Sequence, residues 1–321
     1  MTRIGLAALT LCVSTLALAS ESAPYPSRAI TIVVPTAPSG GNDLIARTLA
    51  QKLSPLLGQS VIVENRAGAN GAIGTETVAR AAPDGYTLLL GYIATHAMNP
   101  ALQTLRYDPV KDFTPISLVG YSPTVMVANP KADIKDVGDL VAQLKANPDK
   151  YAYATAGNGT APHFAGELFQ LNAGVKMLGV PYKGSAPAMT DTVGGQTQLM
   201  FPSLFTAAPY IKGGQLKALA IAGPERAPSM PDIPTLKEAG VDGVEVQQWY
   251  AIFAPANTPA PVVEKLNAAF NTVLKDPDVV RRMKEHGADV ALSTSAELGD
   301  LVKSELARWK DVVTKTNIAI N

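Results

Sequence analysis

Short apolar runs rich in β-branched residues alternate along this chain with longer segments whose apolar positions recur at helical spacing. The run Ala29–Val34 (AITIVV) predicts a strand buried on both faces, with only Thr31 interrupting it. Leu44, Ile45, Leu49, Leu53, Leu56 and Leu57 then fall on one side of a helix starting near Asn42 or Asp43. Ser60–Asn65 (SVIVEN) predicts a second strand, followed by the Gly-rich loop RAGANG and another helix. Tyr86–Tyr92 (YTLLLGY) predicts a third strand. Alternation of this kind builds a mainly parallel sheet covered by helices.

Further along, Phe113–Asn129 reads as two strand pieces joined at Gly120-Tyr121-Ser122-Pro123, a first crossing between domains. A capped helix spans the Asp133–Lys150 region, Tyr151–Gly157 is a strand, and Asn158-Gly159-Thr160 leads into a helix from Pro162 to Leu171. Glu245–Pro259 reads as the return crossing. A helical hairpin follows, then a last helix with Ser295 as N-cap and Leu298, Leu301, Val302, Leu306 and Trp309 on its apolar side. The pattern predicts two α/β lobes: residues 20–121 plus 249–321, and residues 122–248.

Composition narrows the class. With 321 residues the chain can bury a substantial core, and 27 Lys plus Arg against 27 Asp plus Glu gives no global pull toward nucleic acid or an anionic membrane. Arg3, the apolar stretch Ile4–Ala17 and the small residues of Ala17-Leu18-Ala19 predict a signal peptide at residues 1–19, cleaved after Ala19. No later run of about 18 apolar residues predicts insertion into a membrane. Cys12, the only cysteine, falls inside the leader, so the mature chain is expected to lack disulfides, thiol nucleophiles and zinc–thiolate sites.

The candidate chemistries thin out quickly. A phosphate-binding loop needs Gly-Lys-Ser/Thr, but Gly40-Gly41 is followed by Asn42-Asp43, and Gly68-x-x-Gly71-x-x-Gly74 is not a dinucleotide fingerprint. No Gly-x-Ser-x-Gly elbow accompanies His96, His163 and His286, and the single pair His163/Glu167 is thin support for a metal. What remains suits holding an anion without reacting it: the loop before the first long helix, and Gly157-Asn158-Gly159-Thr160 before another. Both place backbone N–H groups at the positive end of a helix. Thr160 could cap its helix or give its hydroxyl to a ligand. No cofactor and no metal are expected.

Several ordered segments carry a specific resemblance: VVPTAPSGGNDLIARTLAQKL, VIVENRAGANGAIGTETVARAAPDGYTLLLG, HAMNPAL, YDPVKDFTPISLV, ATAGNGTAPHFAGELF, VPYKGSAPAMTDTVGGQTQLMF, GGQLKALAIAG and WYAIFAPANTPAPVVEKLN. Through nearly the whole mature chain they resemble the Bug-type (TctC-like) periplasmic solute receptors of tripartite tricarboxylate transport. The resemblance implies a two-lobed type II periplasmic binding protein fold, a Venus flytrap with its ligand cleft between the lobes. It implies a periplasmic receptor, expected to be monomeric, that delivers a small organic carboxylate, most simply a dicarboxylate, to a membrane permease or a sensor. Aromatic or nicotinate-like acids are the alternative ligands, and a secreted carboxylate-processing enzyme is the alternative class.

By motif position the first loop contributes Thr36, Ala37, Pro38, Ser39, Gly40 and Gly41 to ligand binding, and the second Asn158, Gly159 and Thr160. Asp43 is expected to organise the helix start rather than touch the anion. Tyr92 and Thr95 follow the third strand, and Lys183, Ser203 and Phe205 complete the expected cleft. Tyr25 is a softer candidate, and Trp249 is expected mainly to pack between the lobes. Thr36 stands where the family often has an aromatic residue, which opens room or adds a polar contact. Pro202-Ser203 stands where relatives often carry Asp or Asn, which disfavours an amino acid ligand.

Overall fold

The computed structural model describes residues 24–316 and Ile318; the expected leader, its cleavage point at Ala19 and Cys12 lie outside them. In chain order the elements are β1 (Ile30–Val34), α1 (Gly41–Leu57), β2 (Val61–Asn65), α2 (Ala72–Ala79), β3 (Thr87–Tyr92), α3 (Asn99–Leu102) and β4 (Phe113–Ala128). They continue with α4 (Val137–Ala146), β5 (Ala152–Thr155), α5 (Ala161–Ala173), β6 (Leu178–Pro181), α6 (Ser185–Gly194), β7 (Leu199–Met200), α7 (Leu204–Lys212) and β8 (Lys217–Ala222). The last are β9 (Gln247–Pro255), α8 (Ala260–Leu274), α9 (Pro277–Glu285), β10 (Asp289–Val290) and α10 (Ser295–Thr316).

The strands hydrogen-bond in the order β2-β1-β3-β9-β4-β7-β5-β6, with β8 and β10 also on β4. β1 pairs parallel with β2 and β3, and β5 pairs parallel with β6 and β7, each set flanked by its own helices. Between the sets, β4 and β9 run antiparallel from Phe113↔Pro255 to Pro123↔Gln247. The far end of β4 turns to β7 and β8 in the second sheet. The result is the expected two-lobed fold.

The two strand pieces expected between Phe113 and Asn129 are one continuous strand. Gly120-Tyr121-Ser122-Pro123 carries turn-like residues, but partners on both edges override them: β9 on one side, and β10 through Val290↔Gly120 and Asp289↔Tyr121 on the other. Gly120 is needed there because a β-carbon would run into the Asp289 carbonyl. Three smaller expectations shift. Leu44 and Leu56 of α1 are exposed rather than packed. Ser295 does not cap α10, since its hydroxyl donates to the Pro115 carbonyl at 2.6 Å. Thr294 and Glu297 form the reciprocal capping box instead, with Thr294 N–H donating to Glu297 Oε2 and Glu297 N–H to Thr294 Oγ1.

α10 ties the lobes at the back. Trp249 of β9 and Trp309 of α10, both buried, donate their indole N–H groups to the same oxygen, Glu305 Oε2, at 3.3 and 3.2 Å. Trp309 packs edge-on against Phe164 of α5 at 4.9 Å between centroids, and Arg308 reaches the Glu245 carbonyl. Trp249 thus packs the interlobe region, as expected.

Between β3 and α3 the chain winds through a wide turn, Ala94–Met98. His96 is fully buried there, stacked on Phe253 at 4.0 Å, with Nδ1 2.9 Å from Thr95 Oγ1. Burial pushes its pKa down to about 3, so it is neutral in the fold. The unfolded chain takes up that proton first, near the ordinary value of about 6.5. Stability therefore falls as pH drops between those two values, at no more than about 1.4 kcal/mol per pH unit from this group. We expect the urea midpoint to fall from pH 7 to pH 5, and His96→Leu to flatten that dependence. Parallel curves for the two proteins would assign the acid sensitivity elsewhere.

Candidate functional site

β1 ends at Val34, and the chain must turn from the sheet into α1 within a few residues. Pro35–Gly40 makes that turn, with Ser39 in a left-handed conformation at φ 66°. Asp43 fixes it: its Oδ2 accepts from Ser39 N–H at 2.9 Å and from Arg47 Nε at 3.0 Å. Burial pushes the Asp43 carboxyl up, but the bonds from Arg47 and Ser39 outweigh burial and hold it below its ordinary range. Asp43 therefore organises the helix start, as expected. Asn65 Nδ2 pins the loop from the other side by donating to the Thr36 carbonyl at 3.2 Å.

This loop forms one wall of a cavity of about 430 Å³ between the lobes. The other walls are also helix starts. Ala69–Gly71 leads into α2, Thr160–Pro162 opens α5, Gly184–Ala186 opens α6, and Ser203 with Thr206 opens α7. With Gly40–Asn42 at α1, five helices of eight residues or more begin at the cavity. Each brings the positive end of its dipole to the cavity, although at α2 and α7 first-turn N–H groups are already taken, Ala72 by the Ala69 carbonyl and Phe205 by the Ser122 hydroxyl. Among the described lining residues there is no Asp, Glu, His, Arg or Cys, and Lys183 is the one charged side chain, exposed at the rim. Tyr92, Tyr250, Pro35 and Ala156 supply apolar surface. Burial pushes the Tyr250 phenol up to about 12, with the Ser203 hydroxyl beside it acting in the opposite direction, so it is neutral at pH 7.

Of the sequence-predicted residues, Thr36, Ala37, Gly40, Gly41, Tyr92, Thr160, Lys183 and Ser203 line the cavity. Pro38 and Ser39 are exposed on the outside of the turn, because the left-handed Ser39 carries the loop away before it returns at Gly40. Thr95 is buried behind Tyr92, where its hydroxyl donates to the Tyr92 carbonyl at 3.0 Å. Phe205 lies one layer back, tilted on His286 at 5.1 Å. Tyr25 is far from the cavity, its hydroxyl donating to the Gly85 carbonyl at 2.7 Å.

The second loop folds inward on itself. Gly157 N–H donates to Thr155 Oγ1 at 3.1 Å, Gly159 N–H to His163 Nδ1 at 3.3 Å, and Thr160 N–H to the Gly157 carbonyl at 3.3 Å. The Thr160 hydroxyl neither caps α5 nor keeps its proton for a ligand, because it donates to the Gly157 carbonyl at 2.6 Å. Asn158 and Gly159 are absent from the cavity lining. His163 thus serves the loop, while Glu167 accepts from the Tyr153 hydroxyl at 2.6 Å. No cluster of metal-ligating side chains occurs among the described residues.

The sequence reading missed a strap. Asn70, itself left-handed at φ 55°, reaches from the β2–α2 loop of one lobe and donates to the Asn158 carbonyl of the other at 2.5 Å. Gly157, at φ 116°, leaves room for it, since a β-carbon there would collide with Asn70 Oδ1. A β-carbon on Gly159 would come within 2.9 Å of Asn99 Oδ1, again across the lobes. The glycines of the second loop therefore serve lobe contact. Asn42, Thr206, Gln248 and Tyr250 also line the cavity unannounced. The Asn-Gly pair at 70–71 was the one local signal, marking a left-handed residue but not its partner.

The sequence profile of the family described as "Tripartite tricarboxylate transporter family receptor" matches residues 45–318. Among solved structures, the periplasmic binding protein BugD is 38% identical over 92% of this chain and 99% of its own, with a TM-score of 0.88. A protein of R. palustris solved with adipate is 33% identical over 92% of this chain and 99% of its own, TM-score 0.89. MatC of Rhodopseudomonas palustris, solved with bound malate, is 38% identical over 90% of this chain and 100% of its own, TM-score 0.86.

Replacing Gly157 by Ala places a β-carbon in the strap contact and strains the backbone at positive φ. We expect Gly157→Ala to fold, by circular dichroism, yet show a larger radius of gyration than the unaltered protein by small-angle X-ray scattering. Equal radii would show that closure does not pass through this contact.

Proposed function

The chain belongs to the tripartite tricarboxylate transporter receptor family, and from that membership we propose that it captures a small dicarboxylate between its lobes for delivery to a membrane permease. The observation that carries the ligand class is the cavity wall: five helix starts converge on a space with no acidic side chain. Such a wall stabilises negative charge with dipoles and N–H groups, and a closed, water-poor cleft strengthens those interactions. A volume of about 430 Å³ with aromatic, proline and alanine patches suits a short aliphatic spacer between two carboxylates. Lys183 at the rim can meet the second carboxylate. That one relative was solved with malate and another with adipate supports the same range of lengths.

The mechanism is capture and closure. The two lobes, taken as residues 20–121 plus 249–321 and 122–248, meet through β4 and β9, which pass between them. A ligand that touches both walls favours the closed form by its extra contacts there, and closure brings Asn70 onto the Asn158 carbonyl. Binding without turnover fits a lining in which no described residue pairs a nucleophile with a base. We place the mature protein in the periplasm as a monomer, exported by a leader cleaved after Ala19, with no cofactor.

Protein refolded free of bound ligand should show a thermal-shift rise of several degrees with at least one C4–C6 dicarboxylate at about a hundredfold its dissociation constant. Benzoate, nicotinate and L-aspartate should give less. Lys183→Ala should reduce the rise for diacids more than for monoacids. A panel in which no dicarboxylate shifts the transition would overturn the ligand class.

A further inference from the structure

Two buried polar atoms in the first loop lack partners. Thr36 Oγ1 and Asn42 Nδ2 have no hydrogen-bond partner among the described residues, and both residues line the cavity. Asn42 is 9% exposed and sits in the first turn of α1, a helix of 17 residues. Three further atoms share this condition, and none competes for the role. Asp43 Oδ1 lies 3.0 Å from Arg47 in an ion pair, while His96 and Asn99 are absent from the cavity lining.

Leaving a buried amide or hydroxyl unpaired costs free energy, so such atoms normally mark where another molecule completes the bond. The loop around them is not loose enough to turn them away. Asp43 holds Ser39, Arg47 holds Asp43, and Asn65 holds the Thr36 carbonyl. The two unpaired atoms therefore belong to a braced segment of chain whose Thr36, Gly40, Gly41 and Asn42 all line the cavity.

We infer that Asn42 and Thr36 select the ligand's head. Asn42 Nδ2, which can only donate, bonds the carboxylate at the start of α1. Thr36 Oγ1, which both donates and accepts, bonds a hydroxyl on the adjoining carbon. The ligand class is thus a 2-hydroxy diacid. This inference rests on the dicarboxylate reading above and goes beyond it. A methylene in the hydroxyl's place leaves Thr36 unpaired, which a site built for hydrogen bonding penalises strongly. An ammonium group would find an acceptor in Thr36, but it would also face five positive helix ends with no acidic side chain in the lining.

Isothermal titration of the refolded full chain with matched acids tests this: succinate against L-malate, adipate against 2-hydroxyadipate, and L-aspartate. The hydroxylated member of at least one pair should bind roughly tenfold tighter or better, and aspartate more weakly than malate. Thr36→Val keeps the shape and removes the hydroxyl; it should erase the preference, weakening the hydroxylated acid and lifting the penalty on its unhydroxylated partner. Asn42→Ala should weaken both members of a pair by a similar factor, about tenfold. Because each change removes an unpaired atom, neither ligand-free variant should lose stability in urea. Equal affinities within both pairs, or a preference that survives Thr36→Val, would overturn the hydroxyl assignment. Unchanged affinity in Asn42→Ala would overturn the carboxylate contact. If the unaltered protein binds none of these acids, the dicarboxylate reading itself falls and this inference with it.

Discussion

The antiparallel pairing of β4 with β9 holds every other part of the site in place. The two strands lie together from Phe113↔Pro255 to Pro123↔Gln247, and the parallel strands of each lobe hang from this pair on opposite sides. β3 joins it through Tyr92↔Tyr250, which puts two cavity tyrosines side by side at the centre of the molecule. Because β4 and β9 are continuous across the lobe boundary, the lobes share a spine. On the proposed closure, bending that spine would change the distance between the helix starts on either side while each lobe keeps its own parallel strands. α10 adds the counterpart at the back, where Glu305 accepts from both tryptophans.

The second constraint is charge. An anion enclosed by protein loses its water, and something must replace it. For the proposed dicarboxylate, the replacement would come from helix starts of both lobes rather than from an arginine, since no arginine lines the cavity among the described residues. One consequence is that no single wall suffices: α1 and α2 stand on one lobe, and α5, α6 and α7 on the other. The full set of donors surrounds a ligand only when the lobes are together. On the proposed function, affinity and closure are then one quantity, as a carrier that must also release its cargo requires.

Much of the fold was legible from periodicity, because β1, β3, α1 and α8 each express a burial pattern that neighbours in sequence already contain. The site was legible in part, and the division follows sequence distance. Gly40 and Gly41 declare themselves by standing between a strand and a helix, and Thr36 by departing from its relatives. Asn70 gives no comparable sign, because its partner lies 88 residues away. Tyr250 reads as a core aromatic on a strand, and only the pairing with Tyr92 turns it toward the cavity. Thr160 misled in the other direction. A threonine before a helix is expected to cap it, but the glycines around it let the loop curl until Gly157 offers a nearer carbonyl.

The same glycines explain why the two loops, so alike in sequence, play different parts. In the first, Asp43 supplies the acceptor that the turn needs, so the backbone donors of Gly40 and Gly41 stay available at the cavity. In the second, Thr155, His163 and Gly157 take up the N–H groups of Gly157, Gly159 and Thr160 internally. What the second loop presents outward is the Asn158 carbonyl, and a carbonyl repels an anion. It is met by Asn70 from the other lobe, so the strap also covers a group that would otherwise oppose ligand binding. On the proposed function, closure and charge selection pass through one contact, and an asparagine suits that position because its amide donates without adding charge.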